Sequence, residues 1–163
     1  MARYQRTYRG ARSNRRKLVW ARMPVTVMDT PGSVDLLENW RDEMDWGGTV
    51  GLTVRRIRIQ LTINDNGTGD VFGVQPLVGI IRWNQDDSAG VPVLNSGAGR
   101  HADWMMFQQV SGLAQGGQTA SYDIDVKSQR KLEEMRQTIF FEFTDPAGAS
   151  AISFASSVLL ALP

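Results

Sequence analysis

Arginine is the residue whose spacing in this sequence most directly suggests chemistry. It recurs at every third position from Arg3 to Arg15, and no acidic residue interrupts the row. A guanidinium donates parallel hydrogen bonds to a phosphate, so a regular row of arginines suits a polyanion. The sequence therefore predicts contacts with nucleic acid near its start. The residues expected to make them are Arg3, Arg6, Arg9, Arg12, Arg15, Arg16, Lys17 and Arg22.

Charge is divided unevenly along the chain. The first 22 residues contain eight Lys and Arg residues and no Asp or Glu, whereas the other 141 contain ten basic and seventeen acidic residues. The formal net charge of +1 thus combines a segment of +8 with a remainder of −7. A block of one sign usually has a partner of its own. We expect a basic arm at 1–17 and a folded domain at 18–163.

The arm is expected to be extended. A period of three matches neither a strand nor an α-helix, and it places the charges along one edge of an extended chain. Tyr4 and Tyr8 lie between the arginines, where aromatic rings suit stacking on bases.

A second basic cluster lies in the body of the chain and has two interpretations. Arg55, Arg56 and Arg58 form either a solvated strand face with paired acids or an extension of the arm's nucleic-acid surface. The residues leave both open.

Residues for catalysis or metal binding are scarce. The chain has no cysteine and one histidine, His101, which is more typical of a surface or an interface than of a lone acid–base centre. Asp123 and Asp125 share a strand face but lack the spacing of a calcium loop, so we expect them to be solvated. We expect no enzyme activity, no cofactor and no metal. No apolar run reaches the ~18 residues of a membrane span, so no membrane partner is expected.

Hydrophobic spacing predicts one helix in an otherwise β-rich chain. A strand is expected at about 18–29, followed by a short helix at about 33–45, where Val34, Leu37 and Trp40 recur at helical spacing. Beyond the helix the period becomes two.

Alternation identifies the remaining strands. Between 49 and 63, Ile57, Ile59 and Leu61 alternate with polar residues, as in a half-buried strand. Further strands are expected at about 71–84, 122–126, 138–144 and 151–162, with a charged connector at 127–134 and Gly-rich loops at 84–102 and 111–118. Because strands do not alternate with helices, the sequence predicts an all-β antiparallel sandwich. About eight strands in two sheets make a jelly roll.

Aromatic residues suggest packing surfaces. Trp20, Trp40, Trp83 and Trp104 lie in apolar runs and are expected to be buried in the core or an interface, whereas Trp46 lies beside glycines. The block of Trp104, Met105, Met106 and Phe107 fills either the domain's core or a contact between subunits, where aromatic residues and Met are enriched. The expected interface residues are His101, Trp104, Met105 and Phe107.

An arginine-rich arm that leads into a single all-β domain resembles the coat proteins of small icosahedral viruses. The similarity is to the single jelly-roll coats of small circular single-stranded DNA viruses and of satellite RNA viruses. The residues that carry it run from Arg3 to Lys17 and enter the first strand at Leu18 to Arg22. The resemblance implies a virion shell of many copies, with arms directed inward to a DNA or RNA genome.

Two other functions remain open from the residues. One is a phage or virion accessory protein, such as a decoration or spike subunit, whose arm threads into a neighbour. The other is a carbohydrate-binding β-sandwich that uses Trp46 or Trp104.

Overall fold

Eight strands and one short helix make up the described part of the chain. The computed structural model describes residues 17–44, 51–65, 77–84, 103–110, 119–133, 137–144 and 150–163. The elements are β1 (Leu18–Met28), β2 (Gly32–Asp35), α1 (Glu38–Glu43), β3 (Thr53–Asp65), β4 (Leu77–Asn84), β5 (Asp103–Gln109), β6 (Thr119–Lys131), β7 (Gln137–Thr144) and β8 (Ser150–Ala161).

The strands form two four-stranded antiparallel sheets. One sheet has the order β1-β8-β3-β6 and the other β2-β7-β4-β5. β8 lies between β1 and β3 and pairs with both. Strands that follow each other along the chain, such as β1 and β2 or β7 and β8, lie in different sheets. This arrangement of eight strands in two sheets is a jelly roll, and the predicted fold class is confirmed.

The core lies between the sheets and follows from strand alternation. On β3 the side chains of Ile57, Ile59 and Leu61 are buried, while those between them point outward. On the opposite sheet Phe141 faces inward, and its ring centroid lies 4.5 Å from that of Phe154 on β8. The two rings join the sheets across the middle of the sandwich.

The outer faces of the two sheets differ. On β7, Phe140 and Glu142 alternate with the core residues and so point away from the sandwich, yet both are buried. On the sheet β1-β8-β3-β6, outward side chains such as Arg58 and Gln60 are exposed. The outer face of this sheet is therefore open to a partner. On the outer face of the other sheet, Phe107 of the edge strand β5 is exposed.

The helix is shorter than the sequence predicts. We expected it at about 33–45, but it spans Glu38–Glu43, and the segment Gly32–Asp35 is the strand β2, paired with β7. The buried carboxylate of Asp35 accepts hydrogen bonds from the amide of Leu37 at 2.9 Å and from Oγ1 of Thr138 at 2.7 Å. It also forms an ion pair of 2.6 Å with Arg41. Since these bonds hold the chain against β7 before the helix begins, they override the helical spacing.

The segment 127–134 is also different from the prediction. We expected a charged connector, but β6 continues to Lys131 because β3 pairs with it along this length, as in the pair of Arg56 and Lys127. Its outward side chains are solvated, so their charge does not prevent strand formation. The block 104–107, whose type the sequence left open, lies in β5.

Three strands agree closely with the sequence. β1, β7 and β8 begin and end within one residue of their expected bounds. The strand expected at 71–84 is described only over Leu77–Asn84, as β4, because 71–76 lie outside the described residues, and β3 begins at Thr53 instead of 49. Expected loops at 84–102 and 111–118 lie almost wholly outside the described residues. In the described ranges, no helix is long and apolar enough to cross a membrane.

The contact between Phe141 and Phe154 predicts a large mutational effect. Phe141→Ala is expected to lower the free energy of unfolding by about 3–5 kcal/mol, because it leaves a cavity between the sheets. Phe107→Ala is the matched control, since the Phe107 side chain is 69% exposed and its loss should cost about 0.5 kcal/mol or less. Denaturant unfolding of both variants measures the difference. Equal losses would contradict this placement of the core.

Candidate nucleic-acid interface

The outward side chains of the sheet β1-β8-β3-β6 form two neighbouring rows. Register places Arg22 beside Ser157, Ser157 beside Arg58, and Arg58 beside Asp125. We call this the arginine row. The residues two positions away on the same four strands form a second row, which we call the tryptophan row. It consists of Trp20, Leu159, Arg56 and Lys127. Residues i and i+2 of a strand share a face, so both rows lie on the same side of the sheet. Together the rows define the basic sheet face.

An irregularity in β3 decides which arginines join this face. The pairing of β3 shifts register between Val54 and Arg56, which leaves Arg55 as an extra residue at the shift. Arg56 and Arg58 then point outward together. Of the predicted cluster, two arginines therefore lie on the basic sheet face with Arg22, and Arg55 lies at its margin.

Asp125 binds Arg56 through both carboxylate oxygens. Nε of Arg56 donates to Oδ1 at 2.7 Å, and Nη2 of Arg56 donates to Oδ2. Nε of Arg58 lies 3.8 Å from the same Oδ2. The hydrogen bond from Arg56 lowers the pKa of Asp125 below its usual range, and the charges of Arg56, Arg58 and Lys127 lower it further.

This ion pair bears on both interpretations of the second basic cluster, which were a solvated strand face with paired acids and an extension of the nucleic-acid surface. The arginines do have a paired acid, as a solvated strand face requires. However, one carboxylate is shared by two guanidinium groups, and Arg22 and Lys127 add two more cations to the same rows. The two rows carry four cations and one acid, so the face remains basic.

Trp20 is the aromatic centre of the basic sheet face. Its side chain is 39% exposed, and the guanidinium carbon of Arg58 lies 5.6 Å from its ring centroid. This is a cation–π contact. We expected the four tryptophans in apolar runs to be buried in the core or in an interface. Trp40 is buried in the core, whereas Trp20 is exposed in the single chain. Strand alternation could have indicated that Trp20 points outward, because Trp20 alternates along β1 with Ala21 and Met23, which are buried.

Lys17, the last residue of the predicted arm, is held to the sheet beside the tryptophan row. The backbone carbonyl of Lys17 accepts a hydrogen bond of 2.9 Å from the amide of Leu162, and Leu18 pairs with Ala161. These contacts hold the start of β1 two residues from Trp20. Arg3, Arg6, Arg9, Arg12, Arg15 and Arg16 lie outside the described residues, whereas Lys17 and Arg22 are exposed.

The predicted subunit interface is only partly described. His101 and Trp46 lie outside the described residues. Met105 packs against the core and Trp104 is half-buried, whereas Phe107 is exposed. The alternative in which all four residues of the block fill the core is therefore wrong for Phe107.

Charged residues at one end of the sandwich link the two sheets. Asp103 forms ion pairs with Arg82 and, at 3.2 Å, with Arg130, while Nη1 of Arg82 donates to the carbonyl of Lys131 at 2.6 Å. β4 and β5 are thereby tied to β6. Within the ranges that the structure describes, no three His, Asp or Glu residues are grouped so that they could hold a metal ion.

No known protein family and no curated protein matches the chain. The solved structures that it is similar to include a chain of turnip yellow mosaic virus, with 11% identity, a TM-score of 0.34, and coverage of 91% of this chain and 82% of that one. A chain of an empty cowpea mosaic virus-like particle has 10% identity, a TM-score of 0.37, and coverage of 85% and 76%. A chain of the cyanophage Pam1 capsid has 16% identity, a TM-score of 0.33, and coverage of 85% of both chains.

These similar structures belong to viruses, as do the coat proteins that the sequence resembles. At such low identities and TM-scores they assign no role to any residue. The jelly-roll assignment rests instead on the strand order and register of this chain.

The pairing of Asp125 predicts a stability effect that depends on pH. Asp125→Asn is expected to lower the melting temperature slightly at pH 7, because Arg56 loses its carboxylate partner. The folded-state pKa of Asp125 is lowered, so its contribution is present above the unfolded pKa of about 3.9 and is lost as pH falls through the folded value.

The difference between variant and unaltered chain should therefore shrink below about pH 4, as measured by thermal unfolding over a pH series. Asp123→Asn is the control, since Asp123 has Gln60 opposite it instead of an arginine. A difference that is constant with pH would contradict the ion pair.

Proposed function

We propose that this chain is the coat protein of a small icosahedral virus, located in the virion. Many copies assemble into a closed shell and bind a single-stranded genome through the arm at 1–17. The fold alone does not decide this function, because jelly rolls also occur in lectins and cupins. The observation that supports it is the basic arm's attachment at the end of an open, basic sheet face.

The division of charge gives the two parts of the chain different tasks. Eight cations in the first 22 residues attract phosphates, while the remaining residues carry a net charge of −7. Arginine contacts to phosphates hold a nucleic acid without reading its sequence. The excess of acids in the body disfavours non-specific binding of nucleic acid to the body outside the basic sheet face. Such a coat protein would package one genome as readily as another of similar length.

Removal of the arm tests genome binding. A chain that lacks residues 2–16 loses six of the eight cations but keeps the hydrogen bond between Lys17 and Leu162. Loss of six phosphate contacts should make the log–log salt slope for single-stranded DNA of mixed sequence shallower by about 4.2. The β-sandwich should unfold at an unchanged denaturant midpoint.

A variant with lysine at the six arm arginines is the matched control. It keeps the charge and should therefore keep the salt slope. An unchanged slope after removal of 2–16, or a strong preference for one short sequence, would show that the arm is not the packaging element.

The exposed side chain of Phe107 favours a contact between subunits through the sheet β2-β7-β4-β5. We propose that a neighbouring copy covers the exposed Phe107, together with His101, Trp104 and Met105. Among the described residues β5 is an edge strand of its sheet, and an edge strand offers backbone groups with which a neighbouring copy can pair. An exposed phenylalanine on an edge strand is suited to the apolar centre of a subunit contact.

Substitution of Phe107 separates assembly from folding. Phe107→Asp is expected to abolish particles in electron micrographs, while the subunit keeps its unfolding midpoint. Phe107→Leu, which retains an apolar side chain, should still form particles. Normal assembly of Phe107→Asp would exclude this residue from the subunit contact.

A further inference from the structure

We propose that the basic sheet face is a second nucleic-acid site, separate from the arm. In this site an unpaired base stacks on Trp20, and the adjoining phosphates pair with Arg22, Arg56, Arg58 and Lys127. The inference rests on the proposed function in one respect, that the chain's partner is a single-stranded nucleic acid. It does not require a closed shell.

The position of Trp20 is suited to stacking. β1 is the edge strand of its sheet, and its neighbour β8 contributes Leu159 to the tryptophan row. Among the described strands, the indole is therefore flanked on one side only. Arg58 lies over the ring, as cations do in sites where bases stack on aromatic side chains beside positive charge.

The charges around Trp20 favour a strand of nucleic acid over a protein partner. Arg22 and Arg58 stand in the adjacent row, and Arg56 and Lys127 stand in the same row. The centre of a protein–protein contact is depleted of charged residues, whereas a single-strand site combines aromatic rings with a positive groove. Four cations within two rows match the second description.

The other end of β1 is also exposed but, unlike the end that carries Trp20, its row has no charge. Val27 is also exposed, but its row consists of Ser153, Thr62 and Ser121, without a charge. A register shift between Met23 and the next paired residue of β1 separates this neutral end from the tryptophan row. The basic part of the face is thus confined to the end where the arm begins.

Asp125 regulates the availability of this site. Its carboxylate holds Arg56 through two hydrogen bonds and lies 3.8 Å from Arg58, where a phosphate would bind. A nucleic acid must displace it or share both guanidinium groups with it. Removal of this one charge should therefore strengthen binding, which a merely structural ion pair would not do.

The test compares two strands of equal length, a dT oligonucleotide and an oligonucleotide of abasic sites, which keeps the phosphates and lacks the bases. Trp20→Ala in the full chain is expected to weaken binding of the dT strand about tenfold, within the range for loss of one stacked base, and to leave the abasic strand unaffected. Trp20→Phe should restore most of the dT affinity. Val27→Ala, on the same strand but outside the rows, should change neither.

A second pair of variants tests the charges without altering Trp20. Asp125→Asn is expected to tighten binding of both strands about fivefold, from the loss of one repulsive charge near the phosphate. Asp123→Asn makes the same change of charge on the same strand, away from the arginines, and should have a smaller effect. Equal effects of the two substitutions would overturn the proposed position of the phosphates.

The outcomes also separate this site from the proposed function. If the unaltered chain binds neither strand, genome binding itself fails and the inference fails with it. If it binds both with the steep salt slope of the arm, but Trp20→Ala weakens both equally or neither, only the sheet-face site is excluded. Loss of particles with Trp20→Ala, together with unchanged dT binding, would assign Trp20 to a contact between copies and overturn the inference.

Discussion

The position of β8 between β1 and β3 is the constraint on which the rest of the structure depends. Hydrogen bonds on both sides of this strand bring β1 and β3 into one sheet, although the other sheet and the helix intervene along the chain. Trp20 and Arg22 therefore share rows with Arg56 and Arg58. The same pairing ends at Leu162 and Lys17, so it also fixes the position of the last residue of the predicted arm.

The outer faces of the two sheets differ in composition and exposure. The sheet β2-β7-β4-β5 buries Phe140 and Glu142 on its outer side, and the buried pair of Asp35 and Arg41 holds the helix to β7 through Thr138. Desolvation offsets much of the attraction within a buried ion pair of this kind, so its net contribution to stability is small. The sheet β1-β8-β3-β6 leaves its outer side open, and there the polar and basic residues collect.

The sequence predicted those elements whose pattern is local. The alternation of Ile57, Ile59 and Leu61 was sufficient for β3, and turn residues and apolar runs were sufficient for β7 and β8. The predicted helix was longer than the observed one because Val34 and Leu37 fit a helical spacing. The pairing of β2 with β7 is a long-range contact that no local pattern indicates. The extension of β6 to Lys131 was missed for the same reason, since it depends on pairing with β3.

The candidate site was predictable only in part. Arg56 and Arg58 stood out by their density, and Arg22 by its place in the basic segment. Strand register and the shift beside Arg55 bring these arginines to one face with Trp20. They also place Arg56 where it donates hydrogen bonds to Asp125. Register between distant strands is set by the packing of the whole sandwich, so composition could not give it.

If the arm and the basic sheet face both bind the genome, as we propose, both must lie on the inner side of the shell. Electron cryo-microscopy of particles assembled from the full chain with single-stranded nucleic acid measures which face of the sandwich points inward. We expect closed icosahedral particles in which the sheet β1-β8-β3-β6 faces inward, with nucleic-acid density beside Trp20. Particles in which this face points to the outer solvent, or a chain that remains dispersed in the presence of nucleic acid, would contradict this proposal.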